Sequence, residues 1–310
     1  MKFYQDWHNL PDLLRKGAVA LGNFDGVHSG HLYLLEQLRK ECPGRPLGVL
    51  TFEPHPRVIF RPQDPPFRLM TAEGRAEQLA ERGVDFVVQI PFDEAFSRIT
   101  AEKFVDDILV GALDAGQIAC GADFAFGHRR QGDVEFLEKR LDAHHVGLTV
   151  VPQLSDHNGP ISSSRIRRLL QEGYPEQAAI LLGRYWSVRG VVEKGNQLGR
   201  LLGFPTANIA LRDILEPARG VYAVKVRHPD GRLLEGVANV GRRPTINDGN
   251  EESRLEVHIF DFDEDLYGKI LEVSLVALLR EEKRFNGLDA LKAQIAKDAE
   301  QARKVLARLS

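Results

Sequence analysis

Short apolar runs alternate with amphipathic segments through the first half of the chain. Five runs predict buried strands, at Ala18–Leu21, Leu47–Phe52, Val84–Ile90, Gln117–Cys120 and Leu148–Val151. None of them alternates polar with apolar residues, so both faces of each strand are expected to be covered. Strands that alternate with helices at this spacing predict a doubly wound parallel sheet, an α/β fold in which ligands bind beyond the carboxyl ends of the strands.

The pattern changes at about Gly183, where helical composition gives way to short alternating segments. Further strands are predicted at Val221–Val226, Leu255–Phe260 and Leu271–Leu279. His228–Gly231 has the composition of a hairpin turn, and a closing helix is predicted from Leu288 onward. This half predicts a compact antiparallel β-barrel, so two domains are expected, residues 1–183 and residues 184–310.

Composition limits the range of functions. The 310 residues, 27% of them charged and 43% hydrophobic, leave room for two cores. A net charge of −3 argues against general nucleic-acid binding, although a local pocket for a small polyanion is compatible with it. Two distant cysteines, Cys42 and Cys120, indicate a reducing compartment without a disulfide framework. No run has the length of a signal-peptide core or of a membrane span, so a cytoplasmic protein is expected.

The segment between the first predicted strand and the first helix carries the strongest chemical signal. It reads GNFDGVHSGH from Gly22 to His31, and an apolar helical stripe follows. The unpaired N–H groups of a helix start bind anions, and glycines let a phosphate approach the backbone. His28 and His31 could both donate hydrogen bonds to one phosphate group. A metal pair is the alternative, but neither a cysteine nor a third ligand stands nearby.

A second candidate anion site reads ISSSRIRR, from Ile161 to Arg168. Serines stand directly before a predicted helix whose first turns carry several arginines. Serine hydroxyls, free backbone N–H groups and the guanidinium of Arg165 can face one triphosphate. Taken alone, the pattern also fits a capped surface helix with solvated arginines. In combination with the two histidines, it favours a phosphate site.

The predicted barrel carries a loop of its own with two cations, followed by GFPTANI at Gly203–Ile209. Proline fixes the backbone there, so Thr206 and Asn208 could be presented as rigid oxygen ligands for Mg²⁺. An ordinary barrel turn is the alternative. Glu256 stands on a later strand whose other face is apolar, and its periodicity alone also fits a solvated edge residue.

Four separated motifs resemble one family, in the order in which that family has them. HSGH resembles the H-x-G-H signature of nucleotidylyl transferases, and the longer GNFDGVHSGH is similar to the form in bacterial bifunctional riboflavin kinase/FMN adenylyltransferases. ISSSRIR resembles the second signature of the adenylyltransferase module, with Ser164 where threonine is common. GFPTANI and LEVHIFDFDEDLYG resemble the riboflavin kinase module, and GADFAFGHRRQGD resembles the flavin-side segment of the first module.

The resemblance implies a nucleotidylyl transferase domain of the doubly wound kind, followed by a riboflavin kinase β-barrel with a closing helix. The second module would phosphorylate riboflavin to FMN with ATP. The first would adenylylate FMN to FAD and release pyrophosphate, and Mg²⁺ would accompany ATP in both steps. The implied partners are these small molecules, without nucleic acid or membrane, and a monomer or weak homo-oligomer is expected.

The resemblance also implies residue roles. The implied catalytic residues are Glu256, as general base of the kinase, and His28, His31 and Arg165 at the adenylyl site. The implied ATP contacts are Gly22, Asn23, Phe24, Gly30, Ser163, Ser164, Lys194, Gly195, Arg200, Gly203 and Pro205. The implied flavin contacts are Asp123, Phe124, Phe126, Arg280 and Phe285, and the implied magnesium ligands are Thr206 and Asn208.

Three alternatives stay open at the level of the sequence. One is an enzyme in which a single module works. Another is a flavin-binding regulator or carrier that performs no chemistry, which would not need ATP-side residues in both halves. The third is a cytidylyltransferase or pantetheine-type adenylyltransferase that shares only HSGH, and it would leave the second half of the chain unexplained.

Overall fold

The computed structural model of the chain describes residues 1–5, 7–8, 10–195, 198–244 and 251–309. The chain divides into two compact units. The first comprises Met1–Asp64 with Ala72–Ser162, and the second comprises Pro65–Thr71 with Ser163–Ser310. In the described part of the chain, no helix is both long and apolar enough to cross a membrane.

The first unit is built on a six-stranded parallel sheet. Its strands are β1 (Lys2–Tyr4), β2 (Ala18–Leu21), β3 (Leu47–Glu53), β4 (Phe86–Pro91), β5 (Gln117–Gly121) and β6 (Gly147–Val151), in the spatial order β1-β4-β3-β2-β5-β6. A two-stranded antiparallel ribbon, β7 (Ser155–Asp156) and β8 (Gly159–Pro160), follows. The helices are α1 (Ser29–Glu41), α2 (Pro56–Phe60), α3 (Ala72–Glu81), α4 (Ala101–Lys103) and α5 (Val134–Asp142), and a π-helical segment at Phe104–Ala112 continues α4.

The predicted doubly wound parallel sheet is confirmed. All five predicted strands are present, and β2 matches its predicted bounds at both ends. The unpredicted β1 has only three residues and too little apolar sequence to give a pattern. Strand order reverses at β2, which lies between β3 and β5. Ligands of such sheets bind at this switch point, so the turn that follows β2 occupies the favoured position.

In its described residues, the second unit contains a six-stranded antiparallel sheet and four helices. Its strands are β9 (Ser187–Val191), β10 (Ala207–Ala210), β11 (Gly220–Arg227), β12 (Leu233–Pro244), β13 (Glu251–Ile259) and β14 (Ile270–Glu281), in the spatial order β10-β13-β12-β11-β14-β9. Its helices are α6 (Ser163–Gln171), α7 (Pro175–Leu182), α8 (Leu198–Leu202) and α9 (Leu288–Leu306).

This sheet curls until its two outer strands almost meet. The N–H of Glu193, just after β9, donates to the carbonyl of Asn208 on β10 at 2.8 Å. On the outside of the sheet, Val221 and Phe260 pack with Ala302 and Leu306 of α9 in one buried cluster. The predicted antiparallel near-barrel with its closing helix is therefore confirmed.

Helices α6 and α7 lie in the second unit, although the sequence places them before the predicted boundary at residue 183. Backbone hydrogen bonds explain the difference, since the N–H of Ala218 donates to the carbonyl of Leu170 at 2.9 Å. The indole N–H of Trp186 likewise donates to the carbonyl of Leu69 at 2.7 Å and holds the short Pro65–Thr71 segment. The domain boundary at residue 183 stays a prediction.

The pairing of β3 with β4 gives a test of the first unit's packing. Gly48 lies directly opposite Phe86, and a Cβ atom at Gly48 would come within 2.1 Å of that ring. We expect Gly48→Ala to lower the free energy of unfolding by about 1–3 kcal/mol, because the core would be overpacked. Denaturation with urea measures this change. The double variant with Phe86→Leu should recover part of the loss, and strictly additive losses would contradict the packing argument.

Candidate active sites

The turn between β2 and α1 has an unusual backbone. Phe24 and Val27 adopt positive φ angles of +51° and +41°, and Gly26 lies between them at +89°. Residues with side chains seldom adopt such angles, and each costs on the order of 1–3 kcal/mol. Both side chains are fully buried, so packing holds the turn in this conformation. Strain of this kind clusters at functional sites.

His28 and His31 bind each other at the start of α1. Their rings stack with centroids 3.7 Å apart. The N–H of His31 donates to Nδ1 of His28 at 3.4 Å, and the N–H of His28 donates to Nδ1 of His31 at 3.3 Å. Because each Nδ1 accepts a hydrogen bond, the proton of each neutral ring is on Nε2. The pair therefore offers two N–H donors next to a helix N-terminus.

Burial holds the pKa of His31 well below its usual range, and the nearby His28 adds to the effect. The residue is half-buried, and its ring packs against Phe24 with centroids 4.8 Å apart. His31 is thus neutral at neutral pH. It can contribute a hydrogen bond to an anion, but not a full positive charge.

Glycines leave room around the histidines. A Cβ atom at Gly30 would lie 3.2 Å from the His28 ring and 3.5 Å from the carbonyl of Ile161. A Cβ atom at Gly22 would lie 3.2 Å from the Phe24 ring. The first residue of the ISSSRIRR motif therefore lies beside the histidine turn within the first unit.

The remaining predicted residues of that motif belong to the second unit. Ser163, Ser164 and Arg165 form the first turn of α6. The helix is held by its buried Ile166 and by Arg167, whose Nε donates to the carbonyl of Phe67 at 2.8 Å. Because the histidines and this helix fall in different units, their joint contact with one triphosphate stays a prediction.

The segment Gly121–Gly132 follows β5, the strand beside β2, as expected for a ligand-side loop. Asp123 is exposed and Phe124 is half-buried. Phe126 is only 7% exposed and packs against Phe104 with centroids 5.2 Å apart. Its burial is explained by the core, and contact of these three residues with a flavin stays a prediction.

In the second unit, five predicted residues line a cavity of about 270 Å³ on the side of the sheet that faces α9. They are Thr206, Asn208, Glu256, Arg280 and Phe285. Strand register explains the gathering. Asn208 pairs with Glu256 across β10 and β13, and Val221 on β11 pairs with Arg280 on β14. Glu256 lies on an inner strand of the sheet, not on an edge.

Asn208 is buried at one end of this cavity and is closely surrounded by the backbone. It is 4% exposed, and its Oδ1 is buried without a hydrogen-bond partner in the described chain. A Cβ atom at Gly195 would come within 2.6 Å of its amide, so only glycine fits above it. His258 Nδ1 lies 2.9 Å from the carbonyl of Pro205 and steadies the loop that carries Thr206.

The predicted ATP contacts of the second unit differ in exposure and in backbone conformation. Lys194 is exposed, with its Nζ 6.0 Å from the centre of the Tyr267 ring. Gly203 has a φ of +88°, which suits glycine. The backbone of Arg200 lies in α8, but its side chain lies outside the described part of the chain. Among the described residues, no group of three or more His, Cys, Asp or Glu side chains could hold a metal ion.

Two family models match successive parts of the chain. The model described as FAD synthetase matches residues 11–165, and the model described as riboflavin kinase matches residues 182–306. The bifunctional riboflavin kinase/FMN adenylyltransferase of Escherichia coli (strain K12) is 41% identical over 306 residues, which cover 98% of this chain and 97% of that protein. The chain belongs to this family.

Another member of the riboflavin kinase/FMN adenylyltransferase family and one solved structure are also similar over nearly the whole chain. The Bacillus subtilis (strain 168) protein is 35% identical and covers 95% of this chain and 94% of its own. A crystal structure described as a macrolide-efflux protein from Streptococcus pneumoniae has a TM-score of 0.85 at 32% identity, over 97% of this chain and 98% of that one. The family prediction from the four motifs is confirmed, and the alternative that shares only HSGH no longer accounts for the chain.

Sequence reasoning missed a buried arginine below the turn of the adenylyltransferase module. Arg75 is 2% exposed and donates to the carbonyl of Asn23 at 3.2 Å, as does Thr51. It also bonds Glu53 at 3.1 Å and Gln89 at 2.9 Å. The sequence gave no signal for it, since an arginine on an amphipathic helix is ordinarily solvated.

Sequence reasoning also missed Asp298 in the kinase cavity. Asp298 is 3% exposed and accepts hydrogen bonds of 2.8–3.0 Å from Nε and Nη2 of Arg280. Gln294 donates to the same carboxylate at 2.7 Å. The guanidinium lies over Phe285, 5.6 Å from the ring centre. A signal was available, because Asp298 falls on the apolar stripe of α9 between Leu291 and Ala302.

The lowered pKa of His31 predicts a dependence of stability on pH. Below its usual pKa of 6.5, the unfolded chain binds a proton that the folded histidine resists. The free energy of unfolding should therefore fall between about pH 7 and about pH 5, and His31→Gln should make that fall shallower. Urea denaturation at each pH measures it. His145→Gln, at an exposed position, is the control, and an unchanged slope in His31→Gln would contradict the argument.

Proposed function

We propose that both modules of this chain are active and that they act in sequence. The second unit transfers the γ-phosphoryl group of ATP to riboflavin and gives FMN. The adenylyltransferase module then joins FMN to the AMP part of a second ATP, giving FAD and pyrophosphate. The observation that carries the proposal is that a family model for each module matches its own part of the chain, while a bifunctional relative is similar over 98% of the chain.

At the kinase cavity, Glu256 acts as the general base. Its carboxylate takes the proton of the terminal ribityl hydroxyl as that oxygen attacks the γ-phosphorus, and ADP leaves. Its place on an inner strand supports this role, because the buried Leu255 and Val257 on either side direct Glu256 to the cavity face. Lys194 and Arg200 contact the phosphates of ATP, together with the backbone at Gly195, Gly203 and Pro205.

The residues at Thr206 and Asn208 fit a magnesium ion that accompanies ATP. The buried Oδ1 of Asn208 on β10 has no protein partner in the described chain, and Thr206, just before that strand, supplies a hydroxyl. Both are the hard oxygen donors that Mg²⁺ takes alongside substrate phosphates. When bound, the ion would neutralise charge on the transferring phosphate. We therefore propose these two residues as its ligands.

The opposite end of the cavity suits the flavin ring. The charge of Arg280 is compensated by the buried Asp298, so this arginine is a poor phosphate site. Its flat guanidinium and the ring of Phe285 instead offer surfaces for a planar, uncharged ring system. This division of charge supports a riboflavin that lies with its ring at Arg280 and its terminal hydroxyl at Glu256.

At the adenylyl site, we propose that His28 and His31 donate Nε2–H hydrogen bonds to the phosphates of ATP. Gly22, Asn23, Phe24 and Gly30 shape the turn, and Ser163, Ser164 and Arg165 of the second motif are proposed as contacts of ATP. An oxygen of the FMN phosphate attacks the α-phosphorus, and the bond to pyrophosphate breaks. That phosphate is already ionised, so the protein supplies alignment and charge stabilisation, not a base. Asp123, Phe124 and Phe126 are proposed on the flavin side.

The proposed location is the cytoplasm. Both cysteines are buried, and burial raises the pKa of Cys120 to about 12 and raises that of Cys42 as well. Two such unreactive thiols are what a reducing compartment leaves in place. A monomer or weak homo-oligomer stays our expectation.

One reaction mixture tests the whole assignment. The pure protein is incubated with riboflavin, ATP and Mg²⁺, and the flavins are separated by chromatography over time. FMN should appear first and FAD should follow. Riboflavin binding without consumption of ATP would favour a regulator or carrier, and accumulation of FMN alone would favour a single working module.

Glu256→Gln should abolish most FMN formation. Loss of a general base lowers kcat by about 10²–10⁴-fold, and glutamine keeps the size of the side chain. Initial rates with riboflavin and ATP measure the change. FAD formation from supplied FMN is the control and should be unaffected. A kinase rate near that of the wild type would show that Glu256 is not the base.

His31→Ala should impair only the adenylyl step. Removal of one donor to the developing charge costs about 10²–10³-fold in rate. The assay follows FAD at saturating FMN, with riboflavin phosphorylation by the same preparation as the control. Intact FAD formation would rule out the histidine site, whereas loss of both activities would indicate misfolding.

A further inference from the structure

We propose that Asn239 is a specificity-determining residue of the kinase cavity and that its amide hydrogen-bonds the hydroxyl groups of the ribityl chain. The inference rests on the proposed kinase function and extends it to a residue that no sequence motif indicated. In this proposal Asn239 recognises the flexible ribityl polyol of riboflavin, whereas other residues contact the flavin ring and the phosphates of ATP.

The register of the sheet places Asn239 between the two ends of the substrate. Asn239 pairs with Glu256 on one side and with Val221 on the other, and Val221 pairs in turn with Arg280. Directly paired residues on one face have Cβ atoms about 5 Å apart. Asn239 thus stands one strand from the proposed base and two strands from the proposed ring site. The part of riboflavin that spans this interval is the ribityl chain.

The amide of Asn239 has unused hydrogen-bonding capacity. It lines the cavity and is half-buried, yet within the described part of the chain no protein group forms a hydrogen bond with its side chain. Asparagine is also a poor strand former, and the neighbouring cavity residues Val221 and Val237 are apolar. A polar side chain that fits its strand so poorly is explained if a ligand completes its hydrogen bonds.

The space next to the amide is open because residue 241 is glycine. A Cβ atom at Gly241 would lie 3.1 Å from Nδ2 of Asn239 and 3.0 Å from Oε1 of Glu282. Both polar atoms therefore border the same gap above the strand. A polyol suits this setting, since each hydroxyl can accept from Nδ2 and donate to a carbonyl or carboxylate oxygen.

The test compares riboflavin with lumiflavin, which has the same ring but a methyl group in place of the ribityl chain. In the full-length chain, Asn239→Ala should raise the KM for riboflavin about tenfold and leave kcat within about twofold, because a contact kept throughout the reaction affects binding alone. The inhibition constant of lumiflavin as a competitor of riboflavin should not change. Asn239→Ser, which keeps a hydroxyl donor and acceptor, should recover part of the affinity.

Several outcomes would overturn the proposal. An unchanged KM would exclude the contact with the ribityl chain. A parallel loss of lumiflavin affinity would show that Asn239 contacts the flavin ring instead. A fall in kcat alone would show that Asn239 acts by positioning Glu256. Asn158→Ala, at an exposed turn of the other unit, is the matched control. FAD formation from supplied FMN reports whether each variant is folded. Failure of the kinase function itself would be distinct, because the wild-type chain would then form no FMN.

Discussion

The register of the antiparallel sheet is the constraint on which the kinase site depends. Side chains alternate between the two faces of a strand, so a slip of one residue would exchange the faces. Leu255 and Val257 are completely buried on one face of β13, and their burial fixes Glu256 on the other. The same pairing sets the order of polar groups from Asn208 to Arg280. Hydrophobic packing on one face of the strand thus decides which side chains line the cavity on the other.

The adenylyltransferase module uses buried packing in a related way. The turn after β2 holds two side chains at positive φ, and only their burial makes that conformation stable. Arg75 and Thr51 both donate hydrogen bonds to the backbone carbonyl of Asn23 in this turn. Nδ1 of each histidine accepts a hydrogen bond from the backbone N–H of the other, and these two bonds fix the orientation of both rings and of their Nε2–H groups. The chain itself therefore fixes the turn, and a proposed phosphate site here would need little reorganisation to bind its ligand.

Much of the fold followed from pattern alone, because buried parallel strands and an alternating barrel leave clear hydrophobic signatures. β1 did not, since three residues carry too little pattern. Site residues were predicted only where a motif marks them, as with His28 and Glu256, and their roles stay predictions. Arg75 and Asn239 were missed because their importance comes from contacts and register across distant segments, which no local spacing encodes. Asp298 was missed too, although the sequence carried a signal for it, because a charged residue on the apolar stripe of a helix needs a buried partner.

The pair formed by Arg280 and Asp298 makes the last long helix a wall of the kinase cavity. The ion pair joins α9 to β14, so the attachment of the helix and the shape of the cavity depend on the same two side chains. A substitution that detaches this helix would remove one wall of the cavity without changing any residue of the sheet.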